Sequence, residues 1–354
     1  MLSEITILEP GTKTRLKVFN NSEGKALFYY SDFSKTIYPI KEDIPIVLPP
    51  QSRNPHIELP LLNEIITNKE LKNNVKIIEM FENTISIIKS VKQKSWEWED
   101  EEFWSTTYNN NLKSKIKKNW NDRIWQRKTL INKLPLGLFD TKINILDIGC
   151  GEGQNFRELF RKKISNESIY VATDISFNAL ILNRQKNNFV NSLYILCSAD
   201  YLPFEDNIFD VILLFGILHH THSKEKILSS VNNIFKQKGY CLVHEAIVHN
   251  EDELSNHLKN IKKSVKSGND SYHEERIILK NLLLEIEYNN YSFIFKRQEN
   301  SYYFFRLFNL IRNLLLKYEF LFRFLSFIDR VIIKVFNGKI KKFNSNEILL
   351  LLQK

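Results

Sequence analysis

Residues 143–155, Ile143-Asn144-Ile145-Leu146-Asp147-Ile148-Gly149-Cys150-Gly151-Glu152-Gly153-Gln154-Asn155, constrain the fold more than any other stretch. Ile145, Leu146 and Ile148 read as a short buried strand. Glycines follow at 149, 151 and 153, and a helix-like segment runs from Phe156 to Lys163. Strand, glycine turn and helix in this order set bare backbone and a helix N-terminus against a ligand. Counted from Gly151, bulky Phe156 stands where the third glycine of a dinucleotide-binding G-x-G-x-x-G turn would be, which argues against a pyrophosphate. Asp147 points a carboxylate toward the same turn, which suits a cationic ligand group better than a phosphate.

The run Asp147-Ile148-Gly149-Cys150-Gly151-Glu152-Gly153 resembles motif I of the class I S-adenosylmethionine-dependent methyltransferases. The resemblance implies that the loop backbone, with Gly149, Gly151 and Gly153, holds the methionine end of that cofactor, and that Asp147 sits near its ammonium. Later stretches carry the same resemblance in the same order. Asp174 ends a second strand, Ser168–Thr173, about 20 residues past the loop, where a carboxylate is placed to accept both ribose hydroxyls. S-adenosylmethionine and NAD share that ribose, so Asp174 alone points only to an adenosine cofactor. The resemblance gives it the ribose role and sets Ile175 beside the adenine. After a third strand, Leu193–Cys197, the run Ser198-Ala199-Asp200-Tyr201-Leu202-Pro203-Phe204 is similar to the family motif whose acidic residue meets the adenine amino group. A carboxylate accepts hydrogen bonds and an exocyclic amine donates them, so the chemistry agrees.

The next strand, Val211–Phe215, is apolar throughout, as a central parallel strand should be, and Phe215 closes it on the cofactor side. It leads into Gly216-Ile217-Leu218-His219-His220. Ligands of open α/β sheets sit beyond the carboxyl ends of the strands, so His219 and His220 fall near the reacting centre. The resembled family often has Leu-His-His here. One of the two histidines is a candidate general base for a hydroxyl acceptor; the alternative is that His219 packs on the cofactor or holds the loop. His222 is a weaker candidate, and His244, Glu245 and His273 are candidate acceptor contacts.

The alternation of strands and helices from 140 to 300 implies an α/β domain. With the resemblance, the expected fold is a Rossmann-like, mainly parallel seven-stranded sheet with helices on both faces. A small N-terminal β module and a C-terminal helical insertion before the last strand, Glu347–Lys354, complete it. Three segments are expected: 1–55 as the β module, 56–110 as a helical linker and cofactor-covering segment with Trp104 and Tyr108, and 111–354 as the main domain with 299–345 inserted. The β module resembles a zinc-ribbon-like domain found ahead of some methyltransferases. Its four metal-ligand positions are occupied by Glu9, Thr12, Ser31 and Ser34, so the soft thiolates are gone and folding without metal is expected. Residues 250–275 are polar and read as a substrate-side loop.

The net charge of +9 is concentrated at the C-terminus, where residues 299–354 hold ten Lys and Arg against four Asp and Glu. A second basic stretch, Lys113 to Lys133, interleaves Arg123 and Arg127 with Trp120 and Trp125. It admits nucleic acid, or a helix that packs its aromatics inward and leaves its lysines in water. The three cysteines, Cys150, Cys197 and Cys241, lie in or beside apolar strands, which suits reduced cytoplasmic thiols and gives no zinc spacing. Neither a signal peptide nor a spanning helix is expected. Residues 299–345 are aromatic, basic and amphipathic. They admit a lid or packing role, a dimer contact, or peripheral contact with a membrane or a lipid-linked substrate. The function expected is methyl transfer from S-adenosylmethionine to a small-molecule acceptor (a saccharide, quinone or secondary metabolite). The alternatives are an RNA base methyltransferase and a non-catalytic cofactor-binding subunit.

Overall fold

The computed structural model describes residues 5–71, 74–91, 96–109, 123–124, 126–187, 189–221, 223–266, 274–299 and 346–354, with Phe320, Phe324, Phe327, Ile328, Val331 and Val335. The chain opens with an antiparallel meander: β1 (Lys17–Asn20), β2 (Ala26–Ser31), β3 (Thr36–Lys41) and β4 (Ile44–Pro45). The β1–β2 turn closes because Asn21 Oδ1 accepts the N–H groups of Glu23 and Lys25. Two helices follow, α1 (Pro55–Ile66) and α2 (Val75–Ser90), each begun by an asparagine, Asn54 or Asn74, whose side chain caps the first turn. Phe28, Ile37, Leu62, Met80, Phe81 and Ile88 are buried between sheet and helices as a small core of their own.

The four positions that the zinc-ribbon resemblance marks come together on one carboxylate, that of Glu9. Glu9 is buried (3% exposed) and accepts hydroxyl hydrogen bonds from Thr12 (2.9 Å), Ser31 (2.9 Å), Ser34, Thr36 (3.3 Å) and Tyr38 (3.2 Å). A buried carboxylate is costly unless it is fully hydrogen-bonded, and here hydroxyls from two strands and two turns supply the bonds. The knot therefore closes the module by directional bonds, as a metal would.

The main sheet runs in the order β11-β12-β9-β8-β5-β6-β7. Its centre is β5 (Asn144–Ile148), flanked in parallel by β6 (Ile169–Asp174) and β8 (Phe209–Phe215). Outside these lie β7 (Ser192–Leu196) and β9 (Phe235–Val248), also parallel. The last strand, β12 (Glu347–Gln353), inserts antiparallel between β9 and β11 (Ser292–Glu299), while β10 (Ile277–Ile278) pairs with the end of β9. Apolar residues of the central strands are buried on both faces, so two cores form, one containing Leu146, Ile212 and Leu214, the other Ile145, Val211 and Leu213. The N-terminal module docks on the outer edge of β7, where the Val47 N–H donates to Leu196 O (2.8 Å) and the Leu8 N–H to Pro203 O (2.9 Å). That covers what would be an open strand edge.

Two segments differ from the sequence reading. The helix after the glycine turn is only Gln154–Leu159, because the Phe160 and Arg161 N–H groups both turn back to Phe156 O. Residues 250–275 are not a loop throughout: Glu251–Lys266 is a helix. Its start is fixed by Asn250 Oδ1, which accepts the Glu253 N–H, and by Glu253, which accepts the His249 N–H. Leu254, Leu258 and Ile261 supply a helical period that the polar composition masks.

Replacing Glu9 by alanine leaves five hydroxyls facing an apolar hole and should lower stability by about 2–4 kcal/mol. A thermal melt reads this, and the wild-type melting temperature should be unchanged by a chelator. A chelator-sensitive melt would instead show that a metal holds the module.

Candidate active site

A cavity of about 200 Å³ opens beyond the carboxyl ends of β5, β6 and β8. Gly149, Gly151, Asp174, Ile175, Ala199, Phe215, His219 and His220 all line it. Parallel strands dictate this convergence, since their next residues must leave the sheet on the same side. The glycine turn hugs its surroundings. Gly149 (φ +63°) has no room for a Cβ, which would meet Ile217 Cδ1 at 2.6 Å. Gly153 does not line the cavity; it begins the short helix in a left-handed conformation, and a Cβ there would meet Asn187 and Asn183 at 2.0 and 2.2 Å.

Asp147 lies beneath the turn, 1% exposed. Its Oδ2 accepts the Tyr170 hydroxyl (3.2 Å), while its Oδ1 has no hydrogen-bond partner among the described residues. Burial raises its pKa to about 7, only partly offset by Tyr170 and the Arg127 guanidinium. Asp174 faces the cavity with Oδ2 on the Gly151 N–H and Oδ1 on the Ser176 N–H, both at 2.8 Å, and burial raises its pKa to about 6. Each of its oxygens keeps a second lone pair for a hydroxyl. Ile175 and Ala199 form apolar walls. Asp200 is buried off this lining and faces a shallower hollow with Glu225 and Lys226.

At the opposite wall, His219 Nδ1 lies 2.7 Å from Glu245 Oε2. Glu245 Oε1 accepts the Ile217 and Leu218 N–H groups at 2.7 and 2.9 Å, so one carboxylate on β9 holds both the turn and the ring. Burial would push that carboxyl up, but His219 and the two N–H groups more than offset it and hold it below the usual range. With Nδ1–H donating to Glu245, Nε2 is left as the proton acceptor. His220 packs against His219 (ring centroids 4.1 Å apart) and meets the edge of Trp104 at 5.5 Å. Trp104 comes from α3 (Trp96–Asn109) and lines the cavity. The Tyr108 side chain, His222 and His273 lie outside the described residues.

Arg127, which the sequence placed only in a basic stretch, is buried at the site. It is 4% exposed and lines the cavity together with Arg123. Its Nε donates to His244 Nδ1 (3.1 Å), its Nη1 donates to Asn155 Oδ1 (2.6 Å), and its guanidinium lies 4.7 Å from the Phe215 ring centroid. Because His244 Nδ1 accepts, its Nε2 carries the proton toward Glu347 Oε2, 3.2 Å away. Burial and then Arg123 lower the Arg127 pKa to about 9, which still leaves it a cation at neutral pH. His244 and Glu245, candidate acceptor contacts from sequence, are 3% and 1% exposed and act through Arg127 and His219 instead.

These groups fit the proposed cofactor. The orphaned Asp147 oxygen suits an ammonium, the buried Arg127 suits a carboxylate, and the open lone pairs of Asp174 suit a ribose. Among the described residues no cluster could hold a metal ion.

Residues 146–243 match the methyltransferase domain family Methyltransf_11. The chain is 38% identical over 106 residues to the ubiquinone/menaquinone biosynthesis C-methyltransferase UbiE of Wigglesworthia glossinidia brevipalpis, covering 28% of this chain and 42% of that one. It is 27% identical over 194 residues to UbiE of Blochmanniella pennsylvanica, covering 48% and 74%. Phosphoethanolamine N-methyltransferase 2 of Haemonchus contortus, solved with S-adenosyl-L-methionine, aligns at 18% identity and a TM-score of 0.48 over 75% of this chain and 61% of that one. The chain spans about half the length of the curated relatives it matches. It carries a class I S-adenosylmethionine-dependent methyltransferase domain.

Binding of S-adenosylhomocysteine should strengthen as pH rises. Below their raised values Asp147 and Asp174 are neutral, and a neutral Asp147 offers an ammonium little; above about pH 7 both are ionised. Calorimetric affinity should climb from about pH 5.5 to about 8 and then level, and Asp147→Asn should lower it roughly tenfold and flatten the climb.

Proposed function

We propose that the protein transfers the methyl group of S-adenosylmethionine to a hydroxyl-bearing small molecule, with His219 as general base and Glu245 as its positioning partner. The observation that carries this is the 2.7 Å His219–Glu245 contact on the wall of the cavity that Asp174 and the glycine turn also line. The bound sulfonium supplies an already activated methyl group, so the protein has to align the acceptor and exclude water. A base is needed where the acceptor must lose a proton. A hydroxyl is such an acceptor, whether its own oxygen is methylated or, in a phenol, its ionisation activates a ring carbon. Saccharides, quinols and hydroxylated secondary metabolites all meet that description. The ubiquinone/menaquinone biosynthesis role of the UbiE relatives favours the quinol class.

Within this reading Asp147 and Arg127 take the ammonium and carboxylate of the cofactor's amino-acid arm. Asp174 takes its ribose, and Ile175 and Ala199 flank the adenine. Trp104, over His220, closes the acceptor side against water. The basic stretch 113–133 gives Arg123 and Arg127 to the cavity, which weakens its reading as a nucleic-acid surface.

The test is turnover across a panel of hydroxylated acceptors after calorimetric titration with S-adenosylhomocysteine and NADH. Only the former should bind. His219→Ala should lower kcat by about 10²–10⁴-fold while changing homocysteine-nucleoside affinity less than about threefold. Glu245→Gln should lower kcat by less and leave homocysteine-nucleoside affinity within about threefold, because the ring stays in the cavity wall but loses the carboxylate that orients it. Full activity in His219→Ala would remove the base from the mechanism.

A further inference from the structure

Two cations share one wall of the cavity, and their partners are unequal. Arg123 and Arg127 both line it, and both are helical. A spacing of four puts them on one helix face, about 6 Å apart along the axis. Arg127 is buried at the strand ends, with Nε on His244 and Nη1 on Asn155. Its Nη2 makes no hydrogen bond among the described residues. A Cβ built on Gly216 would stand 3.8 Å from that Nη2 and 3.7 Å from His219 Cε1, so the space over Gly216 joins the Arg127 fork to the imidazole. Arg123, one turn away, is only half-buried. Among the described residues no carboxylate is ion-paired with it.

Among the described residues of the lining the one acid is Asp174, at the end of β6, and its oxygens already accept the Gly151 and Ser176 N–H groups. Burial first, and then Arg123, lower the pKa of Arg127, so the two guanidiniums lie within Coulombic reach of each other. Like charges held side by side cost energy that an anion set against them recovers. The carboxylate of the cofactor's amino-acid arm answers Arg127, which is tied to Asn155 beside the glycine turn. That leaves Arg123, the more open of the two, without a counter-ion. A guanidinium holds a carboxylate or a phosphate by two parallel N–H bonds, which fixes direction as well as charge.

We infer that Arg123 binds an anionic group of the methyl acceptor, a carboxylate or a phosphate, and so selects acceptors that carry an acid as well as the hydroxyl presented to His219. The inference rests on the methyl-transfer reading and names the acceptor class within it. Trp104 and His220, which meet edge to face in the same lining, offer an aromatic surface to the carbon skeleton that joins the two groups. An acceptor held at its acid and at its hydroxyl has little freedom left to turn, which is what alignment with the sulfonium methyl requires.

Calorimetric titration of the S-adenosylhomocysteine-loaded full chain, at about 50 mM salt, tests the inference. The probes are m-hydroxybenzoate and glycerol phosphate, each against its neutral counterpart, m-hydroxybenzyl alcohol or glycerol. At least one anion should bind about tenfold or more tightly than its counterpart, and the tighter anion tells carboxylate from phosphate. Arg123→Gln should remove that advantage while leaving homocysteine-nucleoside affinity within about threefold. Arg123→Lys, which keeps the charge but not the fork, should restore part of it. Should Arg123→Gln fail to fold, Arg123→Lys decides, and must weaken the preferred anion by more than about threefold without weakening the nucleoside. Loaded wild type that prefers neither anion overturns the inference, as does a preference that Arg123→Gln leaves intact. A loss of nucleoside affinity in Arg123→Gln as large as that in Arg127→Gln overturns it too, because Arg123 then belongs to the cofactor clamp. Wild type that does not bind the nucleoside sinks the cofactor reading, and this inference with it.

Discussion

Carboxylates buried at the cavity end of the main sheet are the costliest feature of this molecule, and the site is built around holding them. Asp147, Glu245 and Glu347 are 1%, 1% and 5% exposed in surroundings otherwise filled with Ile, Leu and Phe. Arg127 is set among all three, and each of them favours its charged form. Such a group persists only if every member is bonded, because losing one partner strands a charge at a cost of about 3–5 kcal/mol. The bonds observed are close to complete, and the exception is informative. The free Oδ1 of Asp147 lies directly beneath the glycine turn, where a bound cation would complete the set.

The same bonds tie distant parts of the chain to the cavity. Antiparallel pairing sets Glu347 of β12 opposite Ala246 of β9 and brings its carboxylate to His244. His244 fixes Arg127, and Arg127 holds Asn155 in the helix that follows the glycine turn. The last strand therefore supplies the site as well as the sheet. Glu245, the next residue on β9, serves the other wall through His219. Neighbouring side chains on a strand point to opposite faces, so one short stretch of β9 supports cofactor side and acceptor side together.

What was legible in the sequence was what short range decides. The glycine turn, the apolar strands and Asp174 at a strand end are readable because each depends on a few adjacent residues and on a period of two or 3.6. Arg127 was not legible: among lysines and arginines it has no local mark, and only the position of its helix over the strand ends buries it. Glu347 and His244 were hidden for a related reason, since their meeting depends on β12 entering beside β9. The helix Glu251–Lys266 was lost to composition, its four apolar positions outweighed by charge. Glu9, Thr12, Ser31 and Ser34 could be grouped only through a resemblance, because nothing in their spacing announces a carboxylate in place of a metal.

The Glu9 knot bears on the site through continuous contacts. Glu9 gathers the hydroxyl of Tyr38, whose ring lies 4.8 Å from the Arg53 guanidinium, and Arg53 is paired in turn with buried Glu58 (2.7 Å). Next to Arg53, the carbonyl of Ser52 accepts the Trp98 indole N–H (2.9 Å), which anchors α3 to the module. Two turns along the same helix Trp104 meets His220. A helix anchored at Trp98 presents Trp104 at a set depth, because packed interiors transmit displacement instead of absorbing it. The N-terminal module is then a fixed mount for the aromatic wall on the acceptor side. A knot of directional hydrogen bonds supplies the rigidity that this mount requires.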